Sequence, residues 1–301
     1  MTTPTFKIED IFSVKDKIVV ITGGGTGLGK AIATGFAVNG AKVYITGRRL
    51  EVLQKTADEI NAQATSGGSV HVIQGDVSTK EGVNKIADQI KAKEQVVDSL
   101  INCAGVMKPW KEPIKDHNNV DDVVKAISAV DDEDFRYQQD INVNGVYFTT
   151  VAFVPLLLKS DNPSVVIIAS IAGLANQRAM GSLTYGVSKA ATIHLGTLLA
   201  GRLHPLKIRV NTICPGIFPS EMTGKTAGSY TYDMPDAPTK AALRSTMRRP
   251  GQPEEIVAPV LMLCSKGGMY TNNALLTVDG GRLMVAGVDD GIRLPDDHYT
   301  A

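Results

Sequence analysis

Hydrophobic positions along the first hundred residues follow two rhythms that alternate. Four short runs, KIVVIT (17–22), AKVYIT (41–46), VHVIQGD (70–76) and VVDSLIN (96–102), are rich in β-branched residues and bounded by glycine or polar residues. Such runs predict strands of a parallel sheet, buried on both faces. Between them, GLGKAIATGFAVNG (27–40), LEVLQKTADEINAQA (50–64) and KEGVNKIADQIKAK (80–93) carry apolar residues at helical spacing. Asn39-Gly40 and Ser66-Gly67-Gly68 supply stop signals.

The alternation pauses over a polar stretch at 106–132 and then resumes. The pattern predicts a long helix over about 133–160, a strand at SVVIIAS (164–170), a helix over about 183–203 and a strand at KIRVNTI (207–213). A Gly/Pro/Ser/Thr-rich stretch at 215–240 reads as a long loop. A short helix near 253–265 and a last strand, ALLTV (274–278), complete the series. This order predicts an α/β fold: one Rossmann-type, doubly wound parallel sheet of about seven strands with helices on both faces. Right-handed crossovers bring every strand's C-terminal end to one edge. No break in composition marks a second domain, so residues 1–301 read as a single unit with a core at about 15–281, a substrate loop at about 215–248 and a polar tail at 282–301.

Composition narrows the partners. Lys plus Arg equals Asp plus Glu, 31 each, which argues against a nucleic-acid or membrane-surface partner. The longest apolar stretch, GVYFTTVAFVPLLL (145–158), is shorter than a bilayer span. Charges from Lys7 to Lys17 interrupt any apolar leader pattern near the start of the chain. Three cysteines without CxxC spacing read as reduced thiols, an expectation of a cytoplasmic protein. The five histidines show no metal-ligand spacing, so no metal is expected.

Directly after the first strand comes TGGGTGLG, Thr22 to Gly29. It fits no register of GxGxxG but does fit GxxxGxG, through Gly23, Gly27 and Gly29. Glycines there let the chain turn tightly, bring backbone close to a pyrophosphate and open a helix whose N-terminus attracts the anion. Nucleotide-binding folds that prefer NAD carry Asp or Glu at the end of the second strand. Here that position is Gly47, followed by Arg48 and Arg49. A guanidinium suits a 2′-phosphate, so NADP(H) is the expected cofactor.

The motifs together resemble the short-chain dehydrogenase/reductase family over about 15–281, with some likeness to 3-oxoacyl-carrier-protein reductases in PGIFPSEMT (215–223). TGGGTGLG is similar to the family's glycine loop, GDVS (75–78) to its adenine-side acidic turn, and NCAG (102–105) to its NNAG. INVNGVYF (141–148), IASIAG (168–173), YGVSK (185–189), CPG (214–216) and VDGG (278–281) follow in order. The resemblance implies catalytic roles for Asn142, Ser170, Tyr185 and Lys189. It implies cofactor contacts from Gly23, Thr26, Gly27, Leu28, Gly29, Arg48, Arg49, Asp76, Val77, Asn102, Ala104 and Gly105. Tyr185, Lys189, Pro215, Gly216, Ile217 and Thr223 complete that set. Ser170, Ala172, Tyr185, Met222 and Trp110 are the expected substrate wall. Tyr230, Tyr232 and Met234 in the loop are further candidates for that wall.

The implied reaction interconverts a ketone and a secondary alcohol, with Tyr185 as proton donor. Lys189, four residues on, shares its helix face and, together with the positive nicotinamide ring, is expected to lower the tyrosine pKa. Asn142 is expected to hold a water that links Lys189 to solvent. A 3-oxoacyl substrate and a broad range of carbonyls both remain open. A different class of reading is an NADP(H)-binding sensor without turnover. Two departures stand out: Cys103 replaces the family's second asparagine, and the segment from Gly105 to Asn142 is about ten residues long for the family. That segment holds the only tryptophan, Trp110. Wide apolar arcs on the helices at about 133–160 and 183–203 predict a homodimer or homotetramer.

Overall fold

A computed structural model describes residues 6–175 and 181–285 of the chain. Seven parallel strands form one sheet. They are β1 (Ile18–Thr22), β2 (Lys42–Gly47), β3 (Ser69–Gln74), β4 (Ser99–Asn102), β5 (Ser164–Ile168), β6 (Arg209–Pro215) and, last in the chain, β9 (Leu275–Val278). Their order across the sheet is β3-β2-β1-β4-β5-β6-β9, and each adjacent pair is parallel. The winding direction reverses between β1 and β4, which opens a crevice beyond the carboxyl ends of those strands.

The β-branched runs explain themselves in the packing. Successive residues of a strand point to opposite faces. In β1, Val19 and Ile21 join one core, with Ile32 and Phe36, while Val20 joins the other, with Val83 and Ile86. The first core is covered by α2 (Gly27–Val38), α3 (Leu50–Asn61) and α10 (Pro253–Cys264). The second is covered by α4 (Lys80–Lys91), α7 (Gly145–Leu157) and α8 (Leu183–Leu203). A short helix, α1 (Ile8–Ile11), precedes the sheet.

Three segments depart from the expected pattern. The polar stretch at 106–132 contains a helix, α5 (Val120–Ser128), capped by Asn119. The long helix expected at about 133–160 is three pieces in line: α6 (Asp132–Gln139), a π-helical turn (Asp140–Asn144) and α7. The expected loop at 215–240 contains a small antiparallel hairpin, β7 (Lys225–Thr226) with β8 (Tyr232–Asp233), and the start of α9 (Asp236–Leu243). The tail expected at 282–301 is described only to residue 285, where Arg282–Val285 form a 3-10 turn; the rest lies outside the described residues. Among the described residues, no helix is long and apolar enough to cross a membrane.

Candidate active site

A cleft of about 590 Å3 runs along the carboxyl ends of the strands. Its centre is the turn from β1 into α2. Thr22 Oγ1, buried at the end of β1, accepts hydrogen bonds from the Cys103 and Ala104 amides, both at 3.1 Å. This ties the glycine turn to the loop after β4. Gly23 sits at φ +69°, and a Cβ there would lie 2.7 Å from Ala104 Cα. A Cβ at Gly29 would lie 2.1 Å from the Gly23 carbonyl oxygen. Only glycine satisfies either contact. The result is a backbone cradle opening at the N-terminus of α2, where the first-turn amides and the helix dipole favour an anion. Gly23, Thr26, Gly27, Leu28 and Gly29 all line it.

Along one arm of the cleft lie Arg48, Arg49, Asp76 and Val77. Both arginines are exposed. Arg49 is paired with Glu221 at 2.6 Å, which holds its guanidinium above the usual arginine range. Arg48 makes no ion pair among the described residues; its carbonyl accepts from Gln74 Nε2 at 2.9 Å. The donors, the glycine cradle and the size of the cleft fit a nicotinamide dinucleotide with an extra phosphate on its adenosine side. Asn102 does not line the cleft: it is buried beneath it, donating from Nδ2 to Thr150 Oγ1 at 3.0 Å. Ala104 and Gly105 do line it.

The other arm holds the polar set. Ser170 follows β5 as the cap of a 3-10 turn, and Tyr185 and Lys189 project from α8. The three line the same end of the cleft. Tyr185 and Ser170 share a side-chain hydrogen bond. Lys189 Nζ lies 5.7 Å from the centre of the Tyr185 ring and donates to the Ile168 carbonyl at 3.2 Å. Burial pushes the Tyr185 phenol up to about 12, partly offset by the bond with Ser170. Burial brings the Lys189 ammonium down to about 8. In the chain by itself, desolvation is the largest influence on the phenol.

Asn142 lies within the π-helical turn and is fully buried. Its Nδ2 donates to the Val106 carbonyl and to Ser188 Oγ, both at 2.9 Å, and its Oδ1 accepts from the Val106 amide at 2.9 Å. These bonds use both donors of the amide. Asn142 is thus a brace that fixes the chain after β4 against α8, and its side chain is not among the groups lining the cleft. A π turn often marks a functional position; here it delivers this amide.

Pro215, Gly216, Met222 and Thr223 line the cleft after β6. Thr223 Oγ1 is engaged within its own turn, donating to the Phe218 carbonyl at 2.7 Å. Ile217 faces away, into a separate cavity of about 300 Å3 that it shares with Arg249 and Asp279. Ala172 also lies outside the cleft lining, although its amide donates to Ser170 Oγ at 3.1 Å. Trp110, expected over the substrate, is another correction. Trp110 is not among the residues lining the cleft, and its amide donates to the Gly181 carbonyl at 3.3 Å. The segment is drawn aside because Lys108 and Lys111 pair with Asp134, at the start of α6. Tyr230 and Tyr232 are not walls of the cleft either: they bond to Thr34 on α2 and to the Gly27 amide. Residues that do line it and that were not singled out from the sequence include Tyr137, Ile141, Phe218 and Glu221. Nothing in the periodicity singles them out: Tyr137 ends a polar helix, Ile141 lies in the π turn, and Phe218 and Glu221 come from an aperiodic loop.

Comparison with known proteins agrees with this geometry. Residues 17–230 match the family described as short chain dehydrogenase. The chain is 33% identical over 289 residues to the short-chain dehydrogenase/reductase PhomF of Diaporthe leptostromiformis, covering 94% of this chain and 97% of that one. It is 32% identical to the rhamnolipids biosynthesis 3-oxoacyl-[acyl-carrier-protein] reductase of Pseudomonas aeruginosa, covering 90% and 97%. Among solved structures, the Pseudomonas aeruginosa RhlG/NADP active-site complex superposes with a TM-score of 0.75 at 29% identity, covering 91% of this chain and 99% of that one.

Proposed function

The chain belongs to the short-chain dehydrogenase family, an oxidoreductase family, and on that premise we propose that it interconverts a ketone and a secondary alcohol with NADP(H). The observation that carries the reading is the junction of Ser170, Tyr185 and Lys189 at one end of a glycine-cradled cleft. The choice of NADP(H) rests on Arg48 and Arg49 where a carboxylate would favour NAD, and on the NADP complex of a relative.

When bound, the dinucleotide supplies or accepts the hydride. The chain's own residues manage the proton. In the reducing direction Tyr185 Oη, kept protonated by burial, donates its proton to the substrate oxygen as the carbonyl carbon gains hydride. Ser170 Oγ, aimed at the same point by its place after β5, stabilises the charge that develops on that oxygen. The Lys189 ammonium favours the phenolate left on Tyr185 and holds the site's positive charge out of water. Asn142 positions Val106 and Ser188 and so the two sides of the pocket. Met107, Tyr137, Ile141 and Met222 line the cleft and favour a substrate with an apolar body. A 3-oxoacyl chain and a simple ketone both meet that description. The alternative of a nucleotide sensor without turnover has no support in this assembled set or in the relatives.

The protein is also proposed to pair through α7 and α8, where Tyr147, Val151, Leu183, Val187 and Leu198 are exposed. Light scattering tests that part. The catalytic reading is tested by titrating the protein with NADPH and NADH while following nucleotide fluorescence, then screening ketones at the nicotinamide absorbance. Tighter NADPH binding with turnover is the expected result. Tight binding without turnover on any ketone would overturn the reaction, and preference for NADH would overturn the cofactor.

A further inference from the structure

The substrate loop carries a carboxylate into the cofactor's arm of the cleft. Glu221 lines the cleft, as do Arg49 and Thr26. Its Oε2 accepts from Arg49 Nη2 at 2.6 Å and from Thr26 Oγ1 at 3.4 Å, and its Oε1 accepts from Arg49 Nη1 at 3.4 Å. The carboxylate thus faces the guanidinium with both oxygens. It is presented by a tight turn in which the Ser220 amide donates to Thr223 Oγ1 at 2.9 Å and the Gly224 amide donates to the Ser220 carbonyl at 2.9 Å. The next residue, Met222, belongs to the cleft wall. An Arg–Glu pair of this kind spans from the end of β2 to the loop after β6, across the mouth of the cleft.

We propose that Glu221 is a cofactor-selectivity residue: it competes with the 2′-phosphate of NADP(H) for the Arg49 guanidinium. This rests on the NADP(H) reading above. A planar guanidinium has a limited set of donor edges, and two are turned toward Glu221. A 2′-phosphate arriving beside Arg48 and Arg49 meets a like charge and must draw Arg49 away from it. NADH carries no second anion at that position and leaves the pair intact. Glu221 therefore weakens NADPH binding selectively, and the loop that bears Met222 is released when the phosphate takes Arg49. Because the pair is partly exposed on both sides, at 54% and 39%, the competition is modest and water screens it.

The test is a set of nucleotide titrations at fixed ionic strength on the wild type, Glu221→Gln, Arg49→Gln and the double variant, read by nucleotide fluorescence. Glu221→Gln is expected to bind NADPH about threefold to fivefold more tightly, with NADH affinity changed less than about twofold. In the Arg49→Gln background the same substitution is expected to have no selective effect. A wild type that prefers NADPH, with an unchanged NADPH-to-NADH ratio in Glu221→Gln, overturns the competition alone. A weaker NADPH affinity, or a gain that survives in Arg49→Gln, overturns it as well. A wild type that binds NADH as tightly as NADPH overturns the cofactor reading and this inference with it.

Discussion

The floor of the cleft and the strap beside it are held by different forces. The floor is β1, β4 and the glycine turn. Its strand residues are buried, its bonds run through backbone amides, and its contacts are so close that Gly23 and Gly29 have no room for a side chain. The strap, residues 219–235, is held by polar side chains. Glu221 grips Arg49, Ser229 and Glu59 grip Lys30, the Tyr230 hydroxyl pairs with Thr34, and the Tyr232 hydroxyl accepts from the Gly27 amide at 3.0 Å. An exposed ion pair contributes about 0–1 kcal/mol, whereas the floor moves only with the sheet. A strap fastened this way opens at a small local cost. The glycine cradle is preorganised, and the strap beside it is adjustable.

The largest effect will come from neither floor nor strap but from Tyr185 on α8. Tyr185→Phe should lower kcat by about 100- to 10,000-fold, with NADPH affinity retained, as measured by steady-state rates and nucleotide titration. Retention of more than a tenth of the rate would overturn Tyr185 as the proton donor. Next, Gly23→Ala should destabilise the fold by about 2–4 kcal/mol in urea melts, because the alanine would hold φ +69° and press on Ala104. A smaller loss would mean that the floor yields as easily as the strap.

A third experiment concerns the buried ammonium. Lys189 titrates lower in the folded protein, about 8, than its ordinary 10.5. Between those values the unfolded chain binds more protons, so Lys189 makes stability rise with pH. Below about 8 the group is charged in both states and its full burial cost is present. Lys189→Met should therefore stabilise the protein at neutral pH by roughly 1–3 kcal/mol. That gain should shrink as pH rises from about 8 toward 10.5. Tyr185 acts oppositely at higher pH: its phenol, raised to about 12 from 10.0, makes stability fall with pH between those values. A Lys189→Met gain that does not vary with pH would mean that packing, not charge, sets it. The smallest effect belongs to the strap. Tyr232→Phe removes one hydroxyl acceptor and should cost about 0.5–1.5 kcal/mol, seen as faster hydrogen exchange at the Gly27 amide and in the hairpin. Global melting should hardly change.

Particular elements show what could be read without coordinates. KIVVIT predicted the strand observed at Ile18–Thr22, and ALLTV predicted Leu275–Val278. The parallel order followed from strands alternating with helices. Ser170, Tyr185 and Lys189 were legible through the resemblance of IASIAG and YGVSK to family motifs. The strand's end and the helix's face put them at one edge. The π turn at Asp140–Asn144 was not legible: one extra residue per turn barely disturbs the apolar spacing of α6 and α7. The two-residue strands of the hairpin are too short to carry a period, and Trp110 was misplaced because the Lys111 pair with Asp134 lies far apart in sequence.

The sequence by itself determined the sheet, its edge and the residue types at the cleft, because burial periodicity and glycine sterics are local properties of the chain. Tertiary structure alone decided the protonation balance of Tyr185 and Lys189, the bracing role of Asn142 and the hold of Glu221 on Arg49. Each of these depends on desolvation or on a polar partner brought from a distant segment, and neither quantity exists until the chain has folded.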